Sequence, residues 1–266
     1  NPKFGETFKI GDAVFPNFNN EEINDDAENQ KIMSFELGYG FRSSKFTANV
    51  NLYRTAWRDR TETRSFQLSE DETAFANILG VNAVHQGVEI DFVYRATDKL
   101  KITGMASFGD WKWEDNIENV EIRGEDQELL QTVDLFIEDI PVADAAQTAL
   151  ALGLGYDLLP KTTVYVDYNY YDRLYADFDP SDGGYNPNDS RPDEPWEVPS
   201  YGLFDASVTH GFKVGKLDAT LVGRINNVFD TEYISDAIDG DFSNSATARV
   251  WYGVGRTFTV GAKLNF

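Results

Sequence analysis

The feature that most constrains this chain is a period of two that keeps returning. In "RTFTVGAKLNF" (256–266), Phe258, Val260, Ala262, Leu264 and Phe266 alternate with Thr257, Thr259, Gly261, Lys263 and Asn265. Successive side chains of a strand point to opposite faces, so this segment has one apolar and one polar side. The same alternation runs through "SFELGYGF" (34–41), "KFTANVNLY" (45–53), "GVEIDFVY" (87–94), "ALALGLGYDL" (149–158) and "TVYVDYNYYD" (163–172). Weaker versions lie at 100–113, 201–212 and 217–228. The spacing predicts an all-β chain of nine strands, at 34–42, 45–58, 84–95, 100–113, 147–158, 162–175, 201–212, 217–228 and 256–266.

The connections between these strands alternate strictly in length. "RSSK" (42–45), "ATDK" (96–99), "LPK" (159–161) and "KVGK" (213–216) are short, whereas 59–83, 114–146, 176–200 and 229–255 are long. An antiparallel sheet with tight turns at one end and long loops at the other has the wiring of a transmembrane β-barrel. A soluble β-sandwich, the alternative, mixes loop lengths at both ends. Charge divides the ends too: the long loops hold 28 acidic residues against 5 basic ones, while Lys and Arg decorate the short turns.

A strand of about 10 residues, rising about 3.3 Å each and tilted about 40°, spans roughly the 25 Å apolar band of such a barrel. Aromatics gather near both strand ends, as two membrane interfaces require: Trp57, Trp111, Trp113, Tyr170, Tyr171 and Tyr175 toward the loops, and Phe41, Phe46, Tyr94, Tyr156, Phe212 and Phe266 toward the turns. No run of 18 apolar residues predicts a transmembrane helix, and the absence of cysteine excludes disulfides and thiolate metal sites. A net charge of −22 argues against a nucleic-acid partner. Single-chain bacterial barrels have even strand numbers. Nine strands and a start at "NPKFGETF" therefore lead us to expect the C-terminal part of a larger barrel.

Several stretches also resemble a known family. "GRINNVFDTEYISDA" (223–237) and "YGVGRTFTVGAKLNF" (252–266) resemble the C-terminal end of TonB-dependent outer-membrane receptors. "NYYDRLYADFDP" (169–180), "PVADAAQTALALGLGYDLLP" (141–160) and "LGVNAVHQGVEIDF" (79–92) resemble the Bacteroidetes branch of that family. The resemblance implies a 22-stranded barrel, filled by an N-terminal plug, that imports a scarce nutrient with energy relayed by TonB through the plug. It also implies outer-membrane lipid around the wall, extracellular long loops, a periplasmic C-terminus and a final strand read by the barrel-assembly machinery. The plug and its TonB box are expected upstream of these residues.

Parity gives the lumen-facing set near the loops: Tyr53, Trp57, Trp111, Trp113, Asp167, Asn169, Tyr171, Arg224 and Asn226. Aromatic platforms beside polar groups suit a sugar, peptide or chelate, so Trp57, Trp111, Trp113, Asp167, Asn169, Tyr171 and Arg224 are the ligand-binding candidates. The competing reading is a hydrated wall that contacts the plug, with Arg224 and Asn226 holding loop or plug structure. In "DFDPSDGGYNPND" (177–189), Asp182 stands where an EF-hand needs Gly and Asn188 where it needs Glu, which excludes that motif. A looser calcium site at Asp177, Asp179 and Asp182 stays open beside an ordinary acidic turn; no other cofactor is expected.

The acidic loop 114–146 is read as an ordinary solvated surface; the functional alternatives are that it repels anions, recruits divalent cations or contacts a surface lipoprotein. Within it, "ELLQTVDLFIEDI" (128–140) mixes alternating and helical features and is left unassigned. His85, above Glu89 and Asp91, has no nucleophile motif such as G-x-S-x-G to serve, and His210 shares a face with Phe212 near the turn-side interface. No enzyme is expected. The leading reading is an importer. Its alternatives are a structural or docking barrel of a larger outer-membrane complex and, third, a passive porin.

Overall fold

The computed structural model describes residues 8–9, 22–23, 29–69, 72–124, 128–143, 145–177, 194–240 and 244–265. Two short strands, β1 (Phe8–Lys9) and β2 (Glu22–Ile23), pair with each other. The nine predicted strands are then β3 (Lys31–Arg42), β4 (Phe46–Ser69), β5 (Glu72–Arg95), β6 (Leu100–Trp113), β9 (Thr148–Leu159), β10 (Thr162–Asp172), β13 (Tyr201–Val214), β14 (Leu217–Asn226) and β17 (Thr257–Asn265). Each pairs antiparallel with its neighbours in the order β17-β14-β13-β10-β9-β6-β5-β4-β3. Phe266 lies outside the described residues.

The register holds one apolar and one polar face across the whole sheet. Leu52 sits opposite Leu37 and Val88, and Val88 opposite Phe108. Further along, Leu154 pairs with Val166, and Ile225 with Phe258. On the other face Asn51 pairs with Glu89, Glu89 with Ser107, and Arg224 with both Ser207 and Thr259. The apolar face is uncovered: Phe35 is 67%, Tyr39 71% and Val260 80% exposed. Large hydrophobic side chains left outside over nine consecutive strands are what a lipid solvent requires.

The structure corrects the expected long loop at 59–83. Both flanking strands continue through it, so β4 and β5 form one hairpin of 24 residues per strand. The period-two pattern breaks because both strands bulge at the same level. Asp59 (φ 54°) and Gly80 (φ 73°) take left-handed backbone conformations, and the register shifts between Trp57 and Arg60 and again before Glu62. Each bulge moves the alternation by one residue, which keeps Ala74, Ala76 and Ile78 on the same buried side as Val81 and Ala83.

The loop 114–146 is not merely a solvated surface either. It contains β7 (Ile117–Gly124) and β8 (Leu129–Leu135), which pair with each other, and β7 adds to β5 at Ala74–Ala76. Residues 128–140 thus hold a strand where the sequence is ambiguous. Ile78, Val81, Trp113, Ile122, Leu135 and Ile137 are all at most 3% exposed and form a core above the wall. The last two connections carry small ladders, β11 (Leu174–Tyr175) with β12 (Glu197–Val198) and β15 (Ile234–Ile238) with β16 (Arg249–Tyr252).

A second apolar cluster of Leu174, Ala176, Val198 and Ala237 binds these ladders together. Asp177 joins three connections: its N–H donates to the Ala237 carbonyl (2.8 Å), its carbonyl accepts from the Asp239 N–H (2.8 Å), and its carboxylate pairs with Arg64 of β4. The long connections therefore make a packed collar at one end of the sheet. Among the described residues the other end has only tight turns, such as Pro160–Lys161 and Gly215–Lys216.

Candidate functional site: an aromatic shelf on the polar face

Where the wall meets the collar, the polar faces of β4, β5 and β6 bring Trp57, His85 and Trp111 together. His85 lies directly opposite both Thr55 and Trp111, and its ring centroid is 5.5 Å from Trp111 and 6.4 Å from Trp57. Trp111 Nε1 donates to Tyr53 Oη at 2.9 Å, which fixes both rings. Glycines beneath make this possible. A Cβ at Gly109 would come within 2.6 Å of the Trp111 ring, and one at Gly87 within 2.7 Å of the Tyr53 hydroxyl. The rings therefore lie flat along the wall.

The main chain of Trp111 is clamped as well. Buried Gln147 accepts from the Trp111 N–H through Oε1 (3.0 Å) and donates Nε2 to the Trp111 carbonyl (3.0 Å). Arg173 completes the clamp, donating to the Gly109 carbonyl at 2.9 Å. Above the rings, the Arg60 guanidinium lies 5.3 Å from the Trp57 ring and 5.7 Å from the Trp113 ring, the geometry of cation–π contacts. His85 Nδ1 is buried and has no hydrogen-bond partner among the described residues. This shelf offers π-faces, one ring nitrogen and the hydroxyls of Tyr53 and Thr55.

The candidates do not all converge. Trp57 and Trp111 form the shelf, but Trp113 is only 3% exposed and belongs to the collar core. Its parity is as expected; burial beneath the collar removes it from the surface a ligand can reach. Asp167, Asn169 and Tyr171 share the polar face of β10, opposite Asp205, Leu203 and Tyr201. Tyr171 begins a second aromatic group, with ring centroids 5.2 Å from Tyr171 to Tyr201 and 4.4 Å from Tyr201 to Tyr233. Arg224 is on β14, four strand spacings from Trp111, or about 19 Å at about 4.8 Å per strand.

Asn226, next to Arg224, donates to Thr257 Oγ1 at 3.0 Å. The turn that follows is held by buried Asn227, which bonds both the N–H and the carbonyl of Thr231. His210 is on the apolar face opposite Leu221, bonded to Thr162 Oγ1 at 2.8 Å and stacked on Phe212. Of the calcium candidates, Asp177 is held by Arg64, while Asp179 and Asp182 lie outside the described residues. Among the described residues no three acidic or histidine side chains gather to hold a metal.

Sequence reasoning missed Arg60, Gln147, Tyr201 and Tyr233 as parts of these groups. Parity alone would have found Tyr201, since it falls in step with Asp205 and Ser207 on β13.

Solved structures share this fold. The ferric-catecholate import receptor Fiu from E. coli K12 is 19% identical, with a TM-score of 0.53 over 90% of this chain and 28% of that one. The copper transporter OprC is 16% identical, with a TM-score of 0.58 over 88% of this chain and 30% of that one. BauA, the ferric preacinetobactin receptor from Acinetobacter baumannii, is 15% identical, with a TM-score of 0.56 over 93% and 31%. The chain thus spans about a third of the length of these structures, and at such identities the likeness is one of fold. No curated protein sequence gives a significant match. The family model described as "TonB dependent receptor-like, beta-barrel" matches residues 2–228. With apolar side chains facing outward on nine antiparallel strands and that match over most of its length, this chain belongs to the β-barrel family of TonB-dependent receptors, a family of outer-membrane transport receptors and not of enzymes.

Proposed function

We propose that this chain is the loop-bearing wall of an importer that takes up a scarce nutrient across the outer membrane, coupled through a plug to TonB. In this reading the acidic collar is extracellular and the short turns and C-terminus are periplasmic. The observation that carries it is the shelf of Trp57, His85 and Trp111: aromatic faces held flat on the lumen side at the mouth of the barrel. A surface lipoprotein would sit on the collar. Calcium enters the reading only through Asp179 and Asp182, since Asp177 is committed to Arg64.

The test uses the full-length receptor in its own bacterium. Medium components retained by the purified receptor are identified by mass spectrometry for the wild type and for Trp111→Ala. We expect a species held by the wild type and weakened at least tenfold in the variant. Its uptake by cells should stop when the inner-membrane proton gradient is collapsed. Equal retention by both proteins would remove the shelf from the ligand path, and uptake that survives the uncoupler would remove the energy coupling.

A further inference from the structure

At the opposite end of the wall, the turns enclose a cleft of about 470 Å³ on the polar face. Four cations line it, Lys45, Arg95, Lys99 and Lys101, against two carboxylates, Asp98 and Asp157. Asp157 is already occupied, accepting from Thr163 Oγ1 at 2.7 Å. Among the described residues none of the four cations makes an ion pair.

The register explains why they converge. Arg95 lies opposite Lys101, and Lys101 opposite Gly155, all on the polar face. The turns bring the other two into line: the Arg95 N–H donates to the Lys45 carbonyl at 2.8 Å, and the Asp157 N–H to the Lys99 carbonyl at 2.9 Å. The 96–99 turn is itself stiffened, because Thr97 Oγ1 accepts from the N–H groups of both Lys99 (3.2 Å) and Leu100 (3.0 Å). Gly155 lets the Tyr165 ring lie close against the floor, where a Cβ would stand 3.0 Å from it.

Like charges directly opposite on neighbouring strands repel, as Arg95 and Lys101 do here, and an anion bound between them relieves that repulsion. We propose that this cleft is a binding site for a small dianion carrying phosphate or carboxylate groups. The surplus of two positive charges matches a ligand of charge −2, and the volume falls within the about 300–1,000 Å³ range of small-molecule sites. Lysine and arginine from both sides of the cleft contact the anionic oxygens, and the Tyr165 hydroxyl adds a neutral donor. A fixed cationic cleft at the turn end also gives the lumen a polarity along its axis, with the acidic collar at the other end.

The experiment titrates full-length receptor, purified in detergent at low ionic strength and mildly acidic pH, where pyrophosphate is a dianion and the lysines stay charged, with pyrophosphate by calorimetry. We expect saturable one-to-one binding that weakens at least tenfold in the double variant Lys99→Gln/Lys101→Gln and is retained in Lys101→Arg. Heat-modifiable electrophoretic mobility confirms that each variant is folded. Trp111→Ala should leave pyrophosphate binding unchanged, so failure here is distinguishable from failure of the importer reading. Absence of binding to the wild type, or equal binding by the double variant, overturns the proposal. So does a zero-length carbodiimide cross-link from Lys99 or Lys101 to a carboxylate of the plug, other than the cleft's own Asp98 and Asp157, which would show the cleft filled from within.

Discussion

Gln147 shows how a single residue outside any motif can set a site. Its side chain satisfies both main-chain groups of Trp111 and reaches the Val142 carbonyl, while its own N–H donates to Arg173. Leucine has a similar volume but cannot bond, so Gln147→Leu would strand buried polar groups at about 1–3 kcal/mol each. We expect a loss of about 2–3 kcal/mol in urea unfolding of the full-length receptor, together with a shifted tryptophan emission. A variant as stable as the wild type would show that water replaces the clamp. None of this was legible in the sequence, where Gln147 merely begins an alternating segment. Its partners come from loops whose return path the local pattern does not encode. Trp113 was legible by half: the two-step pattern gave its face, but its burial depends on Ile137 and Ile140, more than 20 residues further on.

Among the elements, the β4–β5 hairpin separates what alternation can and cannot tell. Below Trp57 each apolar position could be read directly, and the register confirms every pair from Phe46↔Tyr94 to Trp57↔Ala83. Above it the paired bulges shift the phase, so a strict two-step reading ends the strands there and takes the rest for loop. Two glycines of β5 test the account because they are glycine for different reasons. Gly80 has open space where a Cβ would go but a φ of 73°. Gly80→Ala should therefore cost about 1–2 kcal/mol of backbone strain and leave tryptophan fluorescence unchanged. At Gly87 the added Cβ would stand 2.4 Å from the Phe108 carbonyl oxygen and 2.7 Å from Tyr53 Oη. Gly87→Ala should displace Tyr53, break its bond to Trp111 and change the fluorescence. Identical spectra for the two variants would contradict the flat-ring geometry.

For the whole molecule, the barrel wall was the most legible level, because strand parity and alternating loop lengths are global regularities that survive local exceptions. The sidedness they assign has a direct energetic test. Leu154 faces outward in mid-strand, paired with Ile102 and Val166, whereas Thr103 faces inward opposite Gly153. Leu154→Arg should destabilise the receptor by about 2–4 kcal/mol in vesicles, the cost of a cation on the lipid face near the bilayer midplane. Thr103→Arg, in the polar lumen, should cost much less, and equal costs would mean the faces are misassigned. The collar was the level the sequence hid, and it bears on how the protein reaches its final state. Its core of Ile78, Val81, Ile122, Leu135 and Ile137 can close only after β4, β5, β7 and β8 stand clear of the bilayer. Once closed, withdrawal of the strands would require unfolding that core and dragging acidic side chains through hydrocarbon. A closed collar would then act as a latch, holding the orientation reached during assembly by a kinetic barrier instead of an equilibrium.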